Sequence, residues 1–327
     1  IVVGLLTPLM RLLALNMNFT DRPNAAHKSH NEPVPYLGGI AIILGISLVT
    51  FSAIFTQDNL RGNFWTATTL FIPALLLGIV GLVDDYKTLE PMPRFMAQSS
   101  VGVFTSIVVV VTNTVGNPSG DVIVDAAITV FWIVGITNAI NFFDNLDGGA
   151  AGAVAAATFG IFLIALSNGQ YLISASALTV FSAMLGFLIW NKSPAKIYMG
   201  DAGSLFLGTI VAILTIRLDP KLDSKLTSFA IPVMLLAVPI LDTCVAVFSR
   251  IRRQKSIFQG GKDHLSHRLV RKGFSKKQSA YLLWSLAAIF SGTAVTLAII
   301  ESSLFLVWMS AFFWLVLFLT FLRSSDE

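Results

Sequence analysis

Apolar windows of about 20 residues recur along nearly the whole chain, and no other feature restricts its fold so closely. They lie near residues 1–15, 36–56, 64–83, 94–113, 122–140, 149–167, 170–190, 200–217, 228–249, 279–300 and 302–322. Hydrocarbon offers no partner to a backbone N–H or C=O, so each window must satisfy its own polar groups, as a helix does and a lone strand cannot. The windows predict an all-α polytopic membrane protein of about eleven transmembrane helices, folded as one domain over 1–327. Charged residues are only 12% of the chain, against about 25% in soluble domains. The first window is short and begins at Ile1 without a basic leader or cleavage site, so a trimmed N-terminus is expected and a signal peptide is not.

Basic residues set the orientation. All but Arg11, Arg61, Arg217, Lys221 and Lys225 fall in loops after odd-numbered windows or in the final tail. By the positive-inside bias those loops are cytoplasmic, the N-terminus is outside and the C-terminus inside. The net charge of +4 then reflects topology and contact with anionic lipid. No aromatic-interleaved basic stripe accompanies it, which argues against nucleic acid as a partner. The single cysteine, Cys244, has no intrachain disulfide partner and reads as a small buried apolar side chain.

The polar residues that interrupt this pattern are few. Asn138-Ala-Ile-Asn141-Phe-Phe-Asp144-Asn-Leu-Asp147-Gly148-Gly149 places two amides and two acids at steps of three. Ionisable groups at membrane depth cost roughly 2.5–3.5 kcal/mol each, so they are expected to face a wet, functional cavity. Steps of three lag by about 60° each on a helix, so one straight helix cannot aim all four at one ion. The spacing predicts a helix end at Asn138 and Asn141, then an unwound turn from Asp144 that Gly148 and Gly149 permit.

Other acids stand at window ends. Asp84-Asp85 close the third window, where they oppose the helix dipole; they read either as solvated interfacial acids or as partners of Arg94, across a Pro91-Met-Pro93 turn. Asp201, in Met199-Gly200-Asp201-Ala-Gly203-Ser204, reads as an N-cap or as a metal ligand. Lys28, in a Pro-rich first loop beside His27 and His30, serves either topology or a phosphate. The long loop over 250–278 carries His264, His267, Arg268 and Arg271 at helical spacing, a short amphipathic helix that either lies on the anionic leaflet or covers the site as a phosphate clamp. No further Cys or His pair completes a zinc site there. Asp242, inside the ninth window, reads as a helix-packing hydrogen bonder or a functional acid.

All four groups fall in loops that the charge bias puts on one face. Carboxylates, amides and basic groups converging at one membrane face suit a metal-assisted phosphate site in cytoplasmic loops, acting on a lipid-borne substrate. There is no Walker loop and no Gly-x-Ser-x-Gly elbow. A secondary transporter is the competing class, but it predicts acids near mid-span and mirrored halves, and neither is evident.

From Asp21 to Ser275 the ordered motifs Asp84-Asp85, Asn138-x-x-Asn141-x-x-Asp144-x-x-Asp147-Gly148, Met199-Gly200-Asp201-Ala-Gly-Ser204 and His264-x-x-His267-Arg268 resemble the polyprenyl-phosphate N-acetylhexosamine-1-phosphate transferases. The resemblance implies transfer of a sugar-1-phosphate from a UDP-sugar to a polyprenyl phosphate such as undecaprenyl phosphate, with release of UMP, in a bacterial inner (plasma) membrane. It implies Mg²⁺, with Mn²⁺ as a substitute, held by Asn141 and Asp201. Asp84, Asp85, Asp144 and Asp147 are the implied catalytic acids, with Asp85 supporting from behind. Lys28, Arg94, Asn138, His264, His267 and Arg268 are the implied substrate contacts. The expected partners are the two substrates, membrane lipids and a second copy of the chain. The His-x-x-His-Arg form is similar to the N-acetylglucosamine-1-phosphate branch, which starts cell-envelope polysaccharides; the branch using UDP-N-acetylmuramoyl-pentapeptide typically shows consecutive histidines. Two departures are Asn145 and Gly149 within the often-seen Asp-Gly-x-Asp-Gly-Leu, and Arg94 where lysine is common.

Overall fold

A computed structural model describes residues 1–21, 33–56, 64–256, 261–300 and 304–323. The helices are α1 (Val2–Asn16), α2 (Gly38–Thr56), α3 (Phe64–Lys87), α4 (Pro91–Val111), α5 (Val122–Phe143), α6 (Gly149–Ser167), α7 (Tyr171–Asn191), α8 (Gly200–Arg217), α9 (Lys225–Leu235), α10 (Ala237–Arg252), α11 (Leu265–Arg271), α12 (Lys276–Ile299) and α13 (Leu304–Arg323). Among the described residues the all-α expectation meets one exception, a two-residue antiparallel pairing of β1 (Thr20–Asp21) with β2 (Val34–Pro35).

Nine described helices are long and apolar enough to cross a membrane, or up to ten if one bent pair counts as a span. The expected eleven is not reached, for two physical reasons. α1 has only 15 residues, short of the roughly 20 that a bilayer core requires. The ninth window is not one helix: α9 and α10 meet at 75°. Pro239 lacks the N–H that would bond the Leu235 carbonyl, and its ring crowds that group, so the helix breaks near Leu236. Beside the break, Trp314 of α13 donates its indole N–H to the Ala237 carbonyl at 3.0 Å.

The bundle is built around α8, in which every residue except Asp201 and Ile216 is buried. Small residues bring its neighbours close. A side chain at Gly81 of α3 would collide with the Asp201 carbonyl, and one at Gly208 would lie 2.7 Å from the Thr137 Cα of α5. Such contacts suit helices that associate by packing rather than by hydrophobic exclusion from water. Large apolar side chains such as Phe104, Phe131 and Phe312 are instead exposed on outer faces, as hydrocarbon surroundings allow.

Each end of the bundle is tied by its own polar contacts. At one end Arg217 donates to the Thr66 carbonyl and to Thr69, and Gln170 donates to the Arg217 carbonyl. At the other, the end of α3, the α5–α6 turn and the start of α8 meet.

Candidate active site

α5 runs straight to Phe143 and stops, with Asp144 as its C-cap. Gly148 then takes the left-handed conformation at φ 71° before α6 begins. This is the unwound turn that the spacing of three predicts. Both backbone polar groups of Gly148 are held by side chains: its N–H donates to Asn191 Oδ1 at 3.1 Å, and its carbonyl accepts from Trp284 Nε1 at 3.0 Å. Asn191 also donates to the Ile197 carbonyl at 2.9 Å, joining the turn to the segment before α8.

Asp201 sits in the first turn of α8 and does not cap it. Asp85 does so from α3, its two oxygens accepting the backbone N–H groups of Asp201 at 2.8 Å and Ala202 at 3.0 Å. Both Asp85 oxygens are thus engaged by the α8 backbone. The Asp201 side chain meets Asn141 Nδ2 at 2.6 Å and Arg94 at 3.3 Å, while Asn141 also donates to Ser204 Oγ at 2.9 Å. Asp84 is buried; it accepts from Arg94 at 2.7 Å and from the Leu89 N–H at 2.7 Å. Pro91 and Pro93 lie inside the first turn of α4, which carries Arg94 back over the acids.

Asp147 accepts from the Ala195 N–H at 3.2 Å and lies 3.5 Å from the Tyr198 hydroxyl. The Asp144 N–H donates to the Ile140 carbonyl at 3.1 Å and to the Asn141 carbonyl at 3.3 Å, closing α5, while its carboxyl takes no hydrogen bond from the described residues. Burial, reinforced by Asp201, Asp85 and Asp147, pushes its carboxyl up to about 8. Burial and neighbouring Asp147 also raise the Tyr198 phenol. The end of the bundle thus gathers acids around one carboxyl whose ionised form lacks a partner, an arrangement that a cation would stabilise.

Three expected substrate contacts are placed differently. Asn138 points at α4, donating to Gln98 at 2.5 Å and to the Val134 carbonyl, so it ties helices together. Arg268 is 1% exposed, and its guanidinium bonds the Asp263 and Phe321 carbonyls and Ser249 Oγ. Burial lowers it to about 10. His264 is buried between Asp242 and Arg250. The predicted short helix is present as α11, but its most polar members serve to fasten it, not to present charge to a phosphate. His267 is partly exposed and lowered to about 4, by burial first and His264 next. Lys28 lies outside the described residues.

The sequence reading missed several members. Asn191 and Trp284 carried a signal, polar atoms near the ends of apolar windows; Gln98 was equally visible. Ser266, which donates to Asn145 Oδ1, and Asp263, which pairs with Arg250 and Arg253, are ordinary loop residues until the fold brings them together.

The profile of glycosyl transferase family 4 matches residues 67–219, which hold every acid of this cluster. The probable undecaprenyl-phosphate N-acetylglucosaminyl 1-phosphate transferase of Bacillus subtilis (strain 168) is 34% identical over 328 residues, covering 98% of this chain and 86% of its own. The decaprenyl-phosphate N-acetylglucosaminephosphotransferase of Mycobacterium leprae (strain TN) is 31% identical over 78% of this chain and 71% of its own. The phospho-N-acetylmuramoyl-pentapeptide-transferase of Staphylococcus carnosus (strain TM300) is 30% identical over 68% and 74%.

Proposed function

This chain belongs to glycosyl transferase family 4, and from that premise we propose that it transfers N-acetylglucosamine-1-phosphate from its UDP-sugar to a polyprenyl phosphate. The observation that carries this reading is similarity to the Bacillus subtilis relative over 98% of the chain. A phosphate oxygen of the lipid attacks the β-phosphorus of the donor, the bond from that phosphorus to the bridging oxygen breaks, and UMP leaves. We place the chain in a bacterial plasma membrane, with the acidic end cytoplasmic, where nucleotide sugars are made.

Phosphoryl transfer needs positioning and charge neutralisation more than covalent help. Asn141 and Asp201 would hold Mg²⁺ or Mn²⁺. The donor set fits: an amide and an acid face each other, and a half-turn of the Asn141 amide presents Oδ1 instead of Nδ2. Among the described residues no three acids or histidines form a closed cage, which suits an ion that takes only one or two protein carboxylates and the rest from phosphates. When bound, the ion neutralises charge on the donor diphosphate. Arg94 and Lys28 bind phosphate oxygens. Asp84, fixed by Arg94 and the Leu89 N–H, orients the attacking lipid phosphate. Asp144 supplies the remaining open carboxylate and Asp147 orients the nucleotide.

Purified protein in detergent, given undecaprenyl phosphate, Mg²⁺ and a panel of UDP-sugars, should release UMP with UDP-N-acetylglucosamine. Release with UDP-N-acetylmuramoyl-pentapeptide alone would move the chain to the other branch. Asp201→Asn should abolish release while the protein still folds.

A further inference from the structure

Among the described residues Asp242 is the most deeply buried acid, at 0% exposure, and the transfer chemistry has no use for it. Its Oδ2 accepts from His264 Nδ1 at 2.7 Å, and its Oδ1 accepts the Leu265 N–H at 2.7 Å. The second contact caps α11 from α10, since Leu265 is the first residue of α11. The first fixes the tautomer: with the carboxylate as acceptor, Nδ1 carries the proton and Nε2 keeps a lone pair. That lone pair faces an Arg250 nitrogen at 3.4 Å, a donor. Both ring nitrogens of His264 are therefore occupied by protein groups.

Asp242, Ser249, Arg250 and Arg253 form one strip along α10 and the residue after it, and each reaches the same loop. Past His264, the Ser266 hydroxyl donates to Asn145 Oδ1, between Asp144 and Asp147. The ring of Phe142, the residue before the helix end, packs edge-to-face with the His264 ring, centroids 6.3 Å apart. Displacing His264 therefore displaces the segment that touches the acidic turn.

We propose that Asp242 is a positioning residue for the active site, acting through His264, which seats α11 against the Asp144–Asp147 turn and does not itself meet phosphate. The proposal rests on the transferase reading for its kinetic readout only.

Asparagine places its amide nitrogen where histidine has Nδ1, whereas glutamine places it where histidine has Nε2. His264→Asn keeps the donor to Asp242; His264→Gln leaves that oxygen unpaired and points a donor at Arg250. His264→Asn should keep kcat and both KM values within about fivefold of the parent. His264→Gln and Asp242→Asn should lose tenfold to a hundredfold in kcat/KM, about what a charge-assisted hydrogen bond is worth. Hydrogen exchange over 263–273 should rise about tenfold in those two variants and not in His264→Asn. Equal inactivity of His264→Asn and His264→Gln, with exchange unchanged, would overturn the proposal, because Nε2 would then have a chemical task. Full activity of Asp242→Asn would overturn it too. Should Asp242→Asn fail to fold, the His264 pair decides. If the parent protein released no UMP from any donor, the transferase reading would fail while the exchange measurement still tested Asp242.

Discussion

Asp85 on α3 caps α8 at Asp201: the carboxylate of one acid holds the backbone N–H of the other at 2.8 Å. Two acids that should repel are thus brought together by a backbone contact, which uses the positive end of the α8 dipole to offset their charge. Asp85→Ala should lower stability by about 0.5–2 kcal/mol, the usual worth of a cap, and lower turnover more than that, because Asp201 loses its anchor. Asp85→Asn keeps one acceptor and should retain part of both. Thermal unfolding and UMP release on the same preparations separate the two effects; equal activity in parent and alanine variant would remove Asp85 from any supporting role.

The approach of α3 to α8 also depends on the absence of a side chain at Gly81, where a Cβ would meet the Asp201 carbonyl. Backbone on both sides leaves nothing flexible to yield. Gly81→Ala should cost about 1–3 kcal/mol by overpacking and abolish UMP release by parting Asp84 and Asp85 from Asp201. A variant that melted and turned over like the parent would show that the helices can slide apart without consequence.

Arg94 bridges Asp84 at 2.7 Å and Asp201 at 3.3 Å through a single nitrogen. Its guanidinium neutralises acids that a divalent cation would also seek. Arg94→Ala should therefore move two measurements in opposite directions. Turnover should fall about a hundredfold as a charge-assisted contact is lost, while Mn²⁺ binding without substrate, read by paramagnetic resonance, should tighten. Arg94→Lys retains the charge without the planar fork and should lie between. Weaker Mn²⁺ binding in the alanine variant would contradict the bridging role.

Much of this was legible in the sequence. The helix end at Phe143 and the Gly148 turn follow from four polar residues at a spacing that no straight helix can use. What a sequence window cannot register is which contact a polar side chain makes across the fold. Arg268 and His264 carry the same residue types as a phosphate clamp, yet Asp242 and the Phe321 carbonyl claim them. The helix break near Leu236 was hidden for a related reason: a hydropathy average over 228–249 stays high through a proline that only geometry penalises.

Two loop groups give stability opposing dependences on pH. His267, lowered to about 4, refuses a proton that the unfolded chain binds near 6.5, so stability falls as pH falls from about 6.5 to 4. Asp144, raised to about 8, keeps a proton that the unfolded chain releases near 3.9, so its contribution is complete below that value and is lost as pH rises through about 8. Above pH 6.5 His267 is silent. In EDTA the melting temperature should decline between about pH 6.5 and 8, and Asp144→Asn should make the decline shallower. An unaltered slope in that variant would assign the titration to another group.

Gly148 depends on two side chains far apart in sequence, and their removal should act on the site by different amounts. Asn191 is 2% exposed and joins the Gly148 N–H to the Ile197 carbonyl, so Asn191→Ala leaves two backbone groups without partners in a dry region. That costs about 1–3 kcal/mol for each, enough to lower the melting temperature by several degrees. Trp284→Phe removes only the donor to the Gly148 carbonyl and keeps most of the ring that packs on Gly152. Its expected cost is near 1 kcal/mol, about fivefold in rate where the turn must be held for Asp144 and Asp147 to act. The melting temperature should fall in the order parent, Trp284→Phe, Asn191→Ala, and UMP release should follow it. Were Trp284→Phe to leave both unchanged, the left-handed turn would be held by Asn191 and the conformational freedom of glycine alone, with α12 serving only to pack.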